Sequence, residues 1–385
     1  GIHLRSPITN KTIHLAGTLF VDDTDLYTWR DGLLDPGEVW AQAQVELDNW
    51  SSLLNATGGA LKADKCFWYL LDYECVDGEW QYADSAPRDM FITRPDGSTS
   101  KILQHPPSFS KKTLGIHDSP SGGNSAHLSY LKDKVSTWIG RMSNGHLPGH
   151  MAWVAYRHQL WPGVRYGLGT MTNDLEVTDN LLNKEDYRML NVLGIVRSVS
   201  KGLRRLHTSF GGFGLFDLPV EQLICRVNML MQHYHTSTNL SRKLDASLRY
   251  LQLQLGTPHN PLLLDYDTWG HLAPLSWVKM LWRTLHHFDI HLYMSYPSIA
   301  PPRERDLVLM EVFQSLDLGQ ETILSLNRCR VSLEAIFLSD LATADGRYLE
   351  DAVFHPGGRG RSSKYKFPRE VPTRGDWDRW SNFWH

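Results

Sequence analysis

Two adjacent aspartates, Asp22 and Asp23, stand in the stretch TLFVDDTDL (18–26), between an apolar run and a threonine-rich one. Neighbouring side chains of a regular strand point to opposite faces, so such a pair serves one site only where the strand breaks into a tight turn. The flanks suit a hairpin. Ile13 to Val21 carry strand formers, and Thr24 to Trp29 are rich in threonine and aromatics. Carboxylates at a hairpin tip have two common explanations. One is a solvated turn, where Asp is frequent; the other is a divalent-cation site, since Mg²⁺ takes one or two carboxylates plus substrate phosphates. The expectation is that 13–21 and 24–29 pair antiparallel, with Asp22 and Asp23 exposed at the tip.

Other chemistry-bearing residues are more dispersed. With a formal charge of −3 the chain is not built for wholesale electrostatic binding of nucleic acid, so any such binding must be local. Two basic stretches qualify, VRSVSKGLRR (196–205) and GRGRSSKYKFPR (358–369). In the first, Arg197, Lys201, Arg204 and Arg205 recur at helical spacing along one stripe, as phosphate contacts or as a solvated helix face. The eighteen histidines, His286, His287 and His291 among them, lack partners at metal-ligand spacing. Cys66, Cys75, Cys225 and Cys329 are too scattered for a zinc cluster and too few for a disulfide framework, which points to a reducing, intracellular compartment. Trp68, Tyr69 and Trp80 suit base stacking or, more ordinarily, strand packing.

Four segments carry a family resemblance. FVDD (20–23) resembles the catalytic turn of reverse transcriptases, an aromatic residue, any residue and two aspartates. GGALKADKCFW (58–68) is similar to that family's next motif, a glycine-rich turn followed by a lysine entering a strand. KKTLGI (111–116) resembles the leucine-glycine turn of the primer grip, and SFGGFGLFDLPVEQL (209–223) a glycine-rich segment after the palm of non-long-terminal-repeat retroelement polymerases, without its usual proline. Together they span roughly residues 13–290, and the closest likeness is to elements of algae or protists. The resemblance implies RNA-templated DNA synthesis by two-metal nucleotidyl transfer, with an RNA template, a DNA primer and deoxynucleotide triphosphates as partners. It implies Asp22 as the direct ligand of two Mg²⁺ ions, Asp23 as support for the turn or the second ion, and Lys65 as general acid toward pyrophosphate. Phe20, Leu114 and Gly115 are implied as primer contacts. The fingers and another metal-binding aspartate lie upstream of the double-aspartate motif in that family and are not in this chain, so the chain alone is not expected to extend a primer. A nucleic-acid-binding remnant without catalysis and an unrelated α+β structural protein are the two other readings.

An α+β fold is expected, and the resemblance implies a partial polymerase palm, with an antiparallel sheet and a helix, then a mainly helical thumb and C-terminal region. Asp35, Pro36 and Glu38 make a helix start, Gly58-Gly59 a stop, and Trp40, Ala43, Leu47, Trp50 and Leu54 a buried face over 36–55, expected to pack on the sheet of the hairpin. Short strands with turn signals fill 66–105, a small antiparallel insert. SPSGGNS (119–125) is the strongest break, dividing the chain into 1–118, 119–300 and 301–385. Apolar spacing predicts helices around 128–142, 220–230, 244–255, 277–288 and 303–316, and 355–376 has the composition of a flexible tail. No run of eighteen or more apolar residues and no secretory signal pattern occurs, so no membrane span is expected.

Overall fold

The computed structural model describes residues 2–20, 23–29, 35–76, 79–94, 96–354 and 371–385. The chain is α+β, mostly helical, with short strands in two- and three-stranded sheets. Its helices are α1 (Pro36–Ala56), α2 (Ser125–Asn144), α3 (Gly149–Ala155), α4 (Trp161–Arg165), α5 (Leu175–Asn180), α6 (Asn183–Val192), α7 (Lys201–Arg205), α8 (Leu218–His233), α9 (Asn239–Leu255), α10 (Tyr266–Trp269), α11 (Trp277–His287), α12 (Leu309–Ser315), α13 (Gln320–Ser332) and α14 (Arg374–Trp384). The chain forms two compact units, residues 1–109, 238–264 and 294–385 in the first and 110–237 and 265–293 in the second. The stretch 119–125, read as a boundary, lies inside the second unit, and residues 301–385 belong to the first.

In the first unit, β1 (Ile2–Arg5) pairs antiparallel with β2 (Thr12–Leu15), and β3 (Gly17–Phe20) with β4 (Asp23–Leu26). The apolar run 13–21 is therefore not one strand. Ile13 and Leu15 alternate into the core, and the chain changes partner beyond them at Gly17, where a Cβ would lie 2.5 Å from the Asp25 carbonyl oxygen. Helix α1 opens on Pro36 and its chain turns away at left-handed Gly58. It lays Trp40, Ala43 and Leu47 on Met90, Ile92 and Ile102. These belong to a three-stranded sheet in the order β5 (Phe67–Tyr69), β9 (Thr99–His105), β8 (Met90–Thr93), with β5 parallel to β9. The Gln44 side chain of α1 closes the edge of β8, donating to the Phe91 carbonyl (2.8 Å) and accepting from its N–H (2.9 Å). The expected single sheet carrying both hairpin and helix is thus replaced by two separate sheets, because α1 satisfies the edge of β8 and β3–β4 stands as its own ribbon. The insert adds one more hairpin, β6 (Tyr73–Val76) with β7 (Glu79–Tyr82).

A buried arginine pins the helices of this unit. Arg330 on α13 is fully buried, and its guanidinium donates to the carbonyls of Leu253 (2.6 Å), Gln254 (2.9 Å) and Ala335 (2.7 Å) and to the Asn327 side chain. Two of those carbonyls lie in the last turn of α9, where helix carbonyls run short of donors, and their other donors are the Gly256 N–H (to Leu253, 3.1 Å) and Asn327 Nδ2 (to Gln254, 3.1 Å). The next residue, Gly256, is left-handed (φ 66°), and a Cβ there would lie 2.8 Å from Arg330 Cζ, so the close approach requires glycine. Burial lowers the arginine's pKa to about 9.

The second unit is a helical core. Leu131, Val135 and Trp138 of α2 pack with Leu160 and Val164 of the α3–α4 segment and with Leu190 of α6. Between α3 and α4 the helix widens into a π turn, Tyr156–Leu160. A second buried arginine, Arg226 of α8, donates to the Met171 carbonyl (2.7 Å) and to Thr284 Oγ1 on α11 (3.2 Å). The hairpin β10 (Lys111–Thr113) with β11 (Ile116–Asp118) also belongs to this unit. Among the described residues no helix is long and apolar enough to cross a membrane.

Replacing Arg330 by Met removes a donor from each of three buried main-chain carbonyls, of which those of Leu253 and Gln254 keep one other donor, the Gly256 N–H and the Asn327 side chain. Urea unfolding is expected to show a loss of about 3 kcal/mol or more, and a loss below about 1 kcal/mol would show that these contacts do not hold the helices.

Candidate functional site

Two hairpins carry motif residues. In β3–β4 the last pair is Phe20 with Asp23, so the connection is the two residues Val21 and Asp22. Asp22 and the side chain of Phe20 lie outside the described residues. Asp23 is exposed at the start of β4, and no hydrogen bond or ion pair among the described residues engages its carboxylate. Asp25, two residues on, shares its strand face. That carboxylate accepts from Thr18 Oγ1 (3.2 Å), the residue paired with it across the ribbon. Asp25 was legible in the sequence as the period-two neighbour of Asp23.

In β10–β11 the last pair is Thr113 with Ile116, which leaves Leu114 and Gly115 as the turn. Both have positive φ, 50° and 86°, the backbone of the tight hairpin turn whose twist matches its strands. Glycine adopts this freely. A leucine there costs about 1–2 kcal/mol, and Leu114 is also half exposed, so packing does not explain it. Lys65 lies in the turn before β5, exposed, its N–H donating to the Lys62 carbonyl (2.9 Å). Lys65 belongs to the first unit and Leu114 and Gly115 to the second.

The basic stretch 196–205 is largely neutralised within the second unit. Arg205 reaches Asp179 (2.9 Å), Asp217 (2.8 Å) and Asp186 (3.7 Å), and Lys201 reaches Asp179 (2.5 Å). Arg204 is buried; its Nε donates to the Val199 carbonyl (2.7 Å) and its guanidinium lies over the Tyr187 ring. Arg197 is exposed and donates to the Asn191 side chain (3.2 Å). The electrostatics follow this geometry. Burial raises the Asp186 carboxyl, against the pull of the nearby arginines. Burial alone would raise Asp179 too, but the hydrogen bonds from Lys201 and Arg205 bring it below its ordinary value. The other basic stretch, 358–369, lies outside the described residues.

Among the described residues, one histidine meets carboxylates in space. Donor atoms of Asp265, Asp267 and His286 lie within 4.8 Å of one another. Asp265 is already engaged there: it caps α10 through the Thr268 N–H (2.8 Å) and hydroxyl (2.5 Å), and one oxygen meets His286 Nε2 at 2.9 Å. These bonds account for the cluster as a helix cap.

The glycine-rich segment forms a loop sewn onto α7. The N–H groups of Phe213, Gly214 and Leu215 donate to the carbonyls of Leu203, Leu206 and Arg204. At Gly212 a Cβ would lie 2.0 Å from the Leu206 carbonyl oxygen, so only glycine lets the loop lie this close. Comparison of the chain with family models, curated proteins and solved structures gave no match.

Replacing Arg205 by Met takes the ion pair from the half-buried carboxylates of Asp186 and Asp217 and leaves Asp179 with Lys201 alone. The expected cost is about 3 kcal/mol in chemical denaturation, against roughly 0.5 kcal/mol or less for Arg197→Ala. Equal losses for the two would contradict the assignment of Arg205 to a structural ion cluster.

Proposed function

We propose that the chain is part of a reverse-transcriptase-like nucleic-acid polymerase, with the β3–β4 hairpin as its metal-binding turn and the β10–β11 hairpin as its primer grip. The observation that carries this reading is the register of β3–β4. It pairs Phe20 with Asp23 and so starts the returning strand at Asp23, an exposed carboxylate of the FVDD motif at the end of the ribbon. The donor set suits a hard cation. Asp23 offers an open carboxylate, Asp25 stands on the same face, and Mg²⁺ keeps most of its shell for water and substrate phosphates. Bound Mg²⁺ supplies Lewis-acid charge for transfer of a nucleotide from its triphosphate to a primer hydroxyl. The chain's own part is to hold that charge at a tip that main-chain pairing keeps in place.

Leu114 supports the same reading. Strained backbone persists where surrounding structure enforces it and function uses it. A half-exposed leucine held left-handed is explained if its side chain meets a primer strand. Lys65, exposed and without a carboxylate partner among the described residues, is available to a triphosphate. An RNA template, a DNA primer and deoxynucleotide triphosphates are the partners in this reading.

Binding of an RNA–DNA primer–template duplex tests it. Mg²⁺ is expected to tighten the complex of the chain with duplex and triphosphate, and the double variant Asp22→Ala, Asp23→Ala to abolish the tightening. Leu114→Asn should stabilise the fold by roughly 0.5–1 kcal/mol while loosening the duplex. Affinity indifferent to Mg²⁺ and to all three substitutions would overturn the proposal.

A further inference from the structure

The second unit holds an open cleft of ≈ 440 Å³ that neither hairpin explains. Trp153, Arg157 and His158 line it from α3 and the π turn, and Thr208, Gly212 and Phe213 from the glycine-rich loop. The Arg157 guanidinium lies over the Trp153 ring, 5.5 Å from its centre, and 3.6 Å from where a Cβ on Gly214 would stand. Among the described residues neither Arg157 nor His158 has a hydrogen-bond or ion-pair partner, and both are exposed. An arginine held by an aromatic face and a glycine loop, with its donors unspent, is set for an anion.

The surroundings carry the same sign. No Asp or Glu occurs between Asp133 and Asp174, or between Asp186 and Asp217, and these two acid-free segments supply every wall of the cleft. The flanking acids Asp186 and Asp217 are held by Arg205. The lining of the cleft thus holds one arginine, one histidine, two aromatic rings and no acid, in a chain of net charge −3. The walls are also fixed in advance. The loop is bonded to α7 on one side. On the other, the Phe216 N–H donates to the buried Tyr156 hydroxyl (3.1 Å), and the Phe216 ring stacks flat on Trp161 at 4.3 Å. π turns within helices recur at functional sites, and this one places Arg157 and His158 at the cleft while Tyr156 anchors the core.

We infer that this cleft binds a single-stranded nucleic acid, stacking one base on Phe213 and taking the adjoining phosphate on Arg157 and His158. A cleft of this size has room for a splayed nucleotide, and stacking platforms beside cations are how sequence-tolerant single-strand sites work. The inference deepens the nucleic-acid reading above and shares with it only the class of ligand.

Fluorescence anisotropy of a labelled twelve-residue oligothymidylate with the full chain tests it. Arg157→Ala and Phe213→Ala are each expected to weaken binding roughly fivefold or more, and an abasic oligomer with the same number of phosphates to bind roughly tenfold more weakly than oligothymidylate. Phe213→Leu keeps apolar packing in the loop while removing the flat ring, so it should match Phe213→Ala if stacking is lost. Arg94→Ala, an exposed cation of the other unit, should leave affinity unchanged. Cleft variants that bind within about twofold of the unaltered chain, or an abasic oligomer or polyglutamate that competes as well as oligothymidylate, would overturn the site. Loss of Mg²⁺-dependent duplex binding with the oligothymidylate result intact would remove the polymerase reading alone.

Discussion

The half-buried guanidinium of Arg205, held among Asp179, Asp186 and Asp217, is the interaction on which the functional face of the second unit depends. Helix α7 has five residues, too few to be stable alone, and it lasts only because its ends are fixed. Ser200 caps the start, its side chain accepting from the Leu203 N–H, and Arg205 ties the end to the acids of α5, α6 and the entry to α8. With α7 in place, the carbonyls of Leu203, Arg204 and Leu206 become acceptors for the glycine-rich loop. The loop in turn forms one wall of the cleft. The charge has thus been drawn inward for architecture, and Arg157, outside the cluster, keeps its donors for a ligand.

The first unit solves a related problem without a counter-charge. Arg330 is fully buried among carbonyls, and burial pulls its pKa down to about 9. A buried cation so placed is stabilising only when its donors are satisfied, and here a helix terminus provides the acceptors. Gly256 lets the two approach. The β3–β4 ribbon of the same unit is held differently. A two-stranded hairpin is marginal by itself, so the ribbon relies on its main-chain pairing and on the cross-strand bond from Thr18 to Asp25.

Local signals in the sequence carried much of this. The spacing of Leu128, Leu131, Val135 and Trp138 marks α2; the leucines of α8 and α9 and the 277–288 segment mark three further helices, and α1 begins at Pro36 as its start signals imply. The β3–β4 hairpin was legible from its strand formers, although Asp23, expected at the tip, begins β4, and the Leu114-Gly115 turn was expected from the likeness of KKTLGI to a known motif. Pairings distant in the chain were not. The apolar run 13–21 gives no sign that β2 turns to β1, and nothing near Phe67 announces a parallel partner at Leu103. The helix expected over 303–316 is confined to Leu309–Ser315, because Val308 bridges to Phe337 and the Leu309 N–H donates to the Ile336 carbonyl. The stripe of Arg197, Lys201, Arg204 and Arg205 shows its cations but not the acids 12–26 residues away that meet Lys201 and Arg205. The cleft joins segments some fifty residues apart, and neither half has the look of a site alone.

The central claim is that the tip of β3–β4 holds a divalent cation, and affinity cleavage measures it most directly. Fe²⁺ substituted for Mg²⁺, with ascorbate and peroxide, cuts the backbone next to the site where the metal resides, and mass spectrometry locates the cuts. The account predicts cuts within residues 18–26 that excess Mg²⁺ suppresses and that Asp22→Ala, Asp23→Ala abolishes. Cuts confined to the neighbourhood of Asp265, Asp267 and His286, or a pattern unaffected by the double substitution, would contradict it.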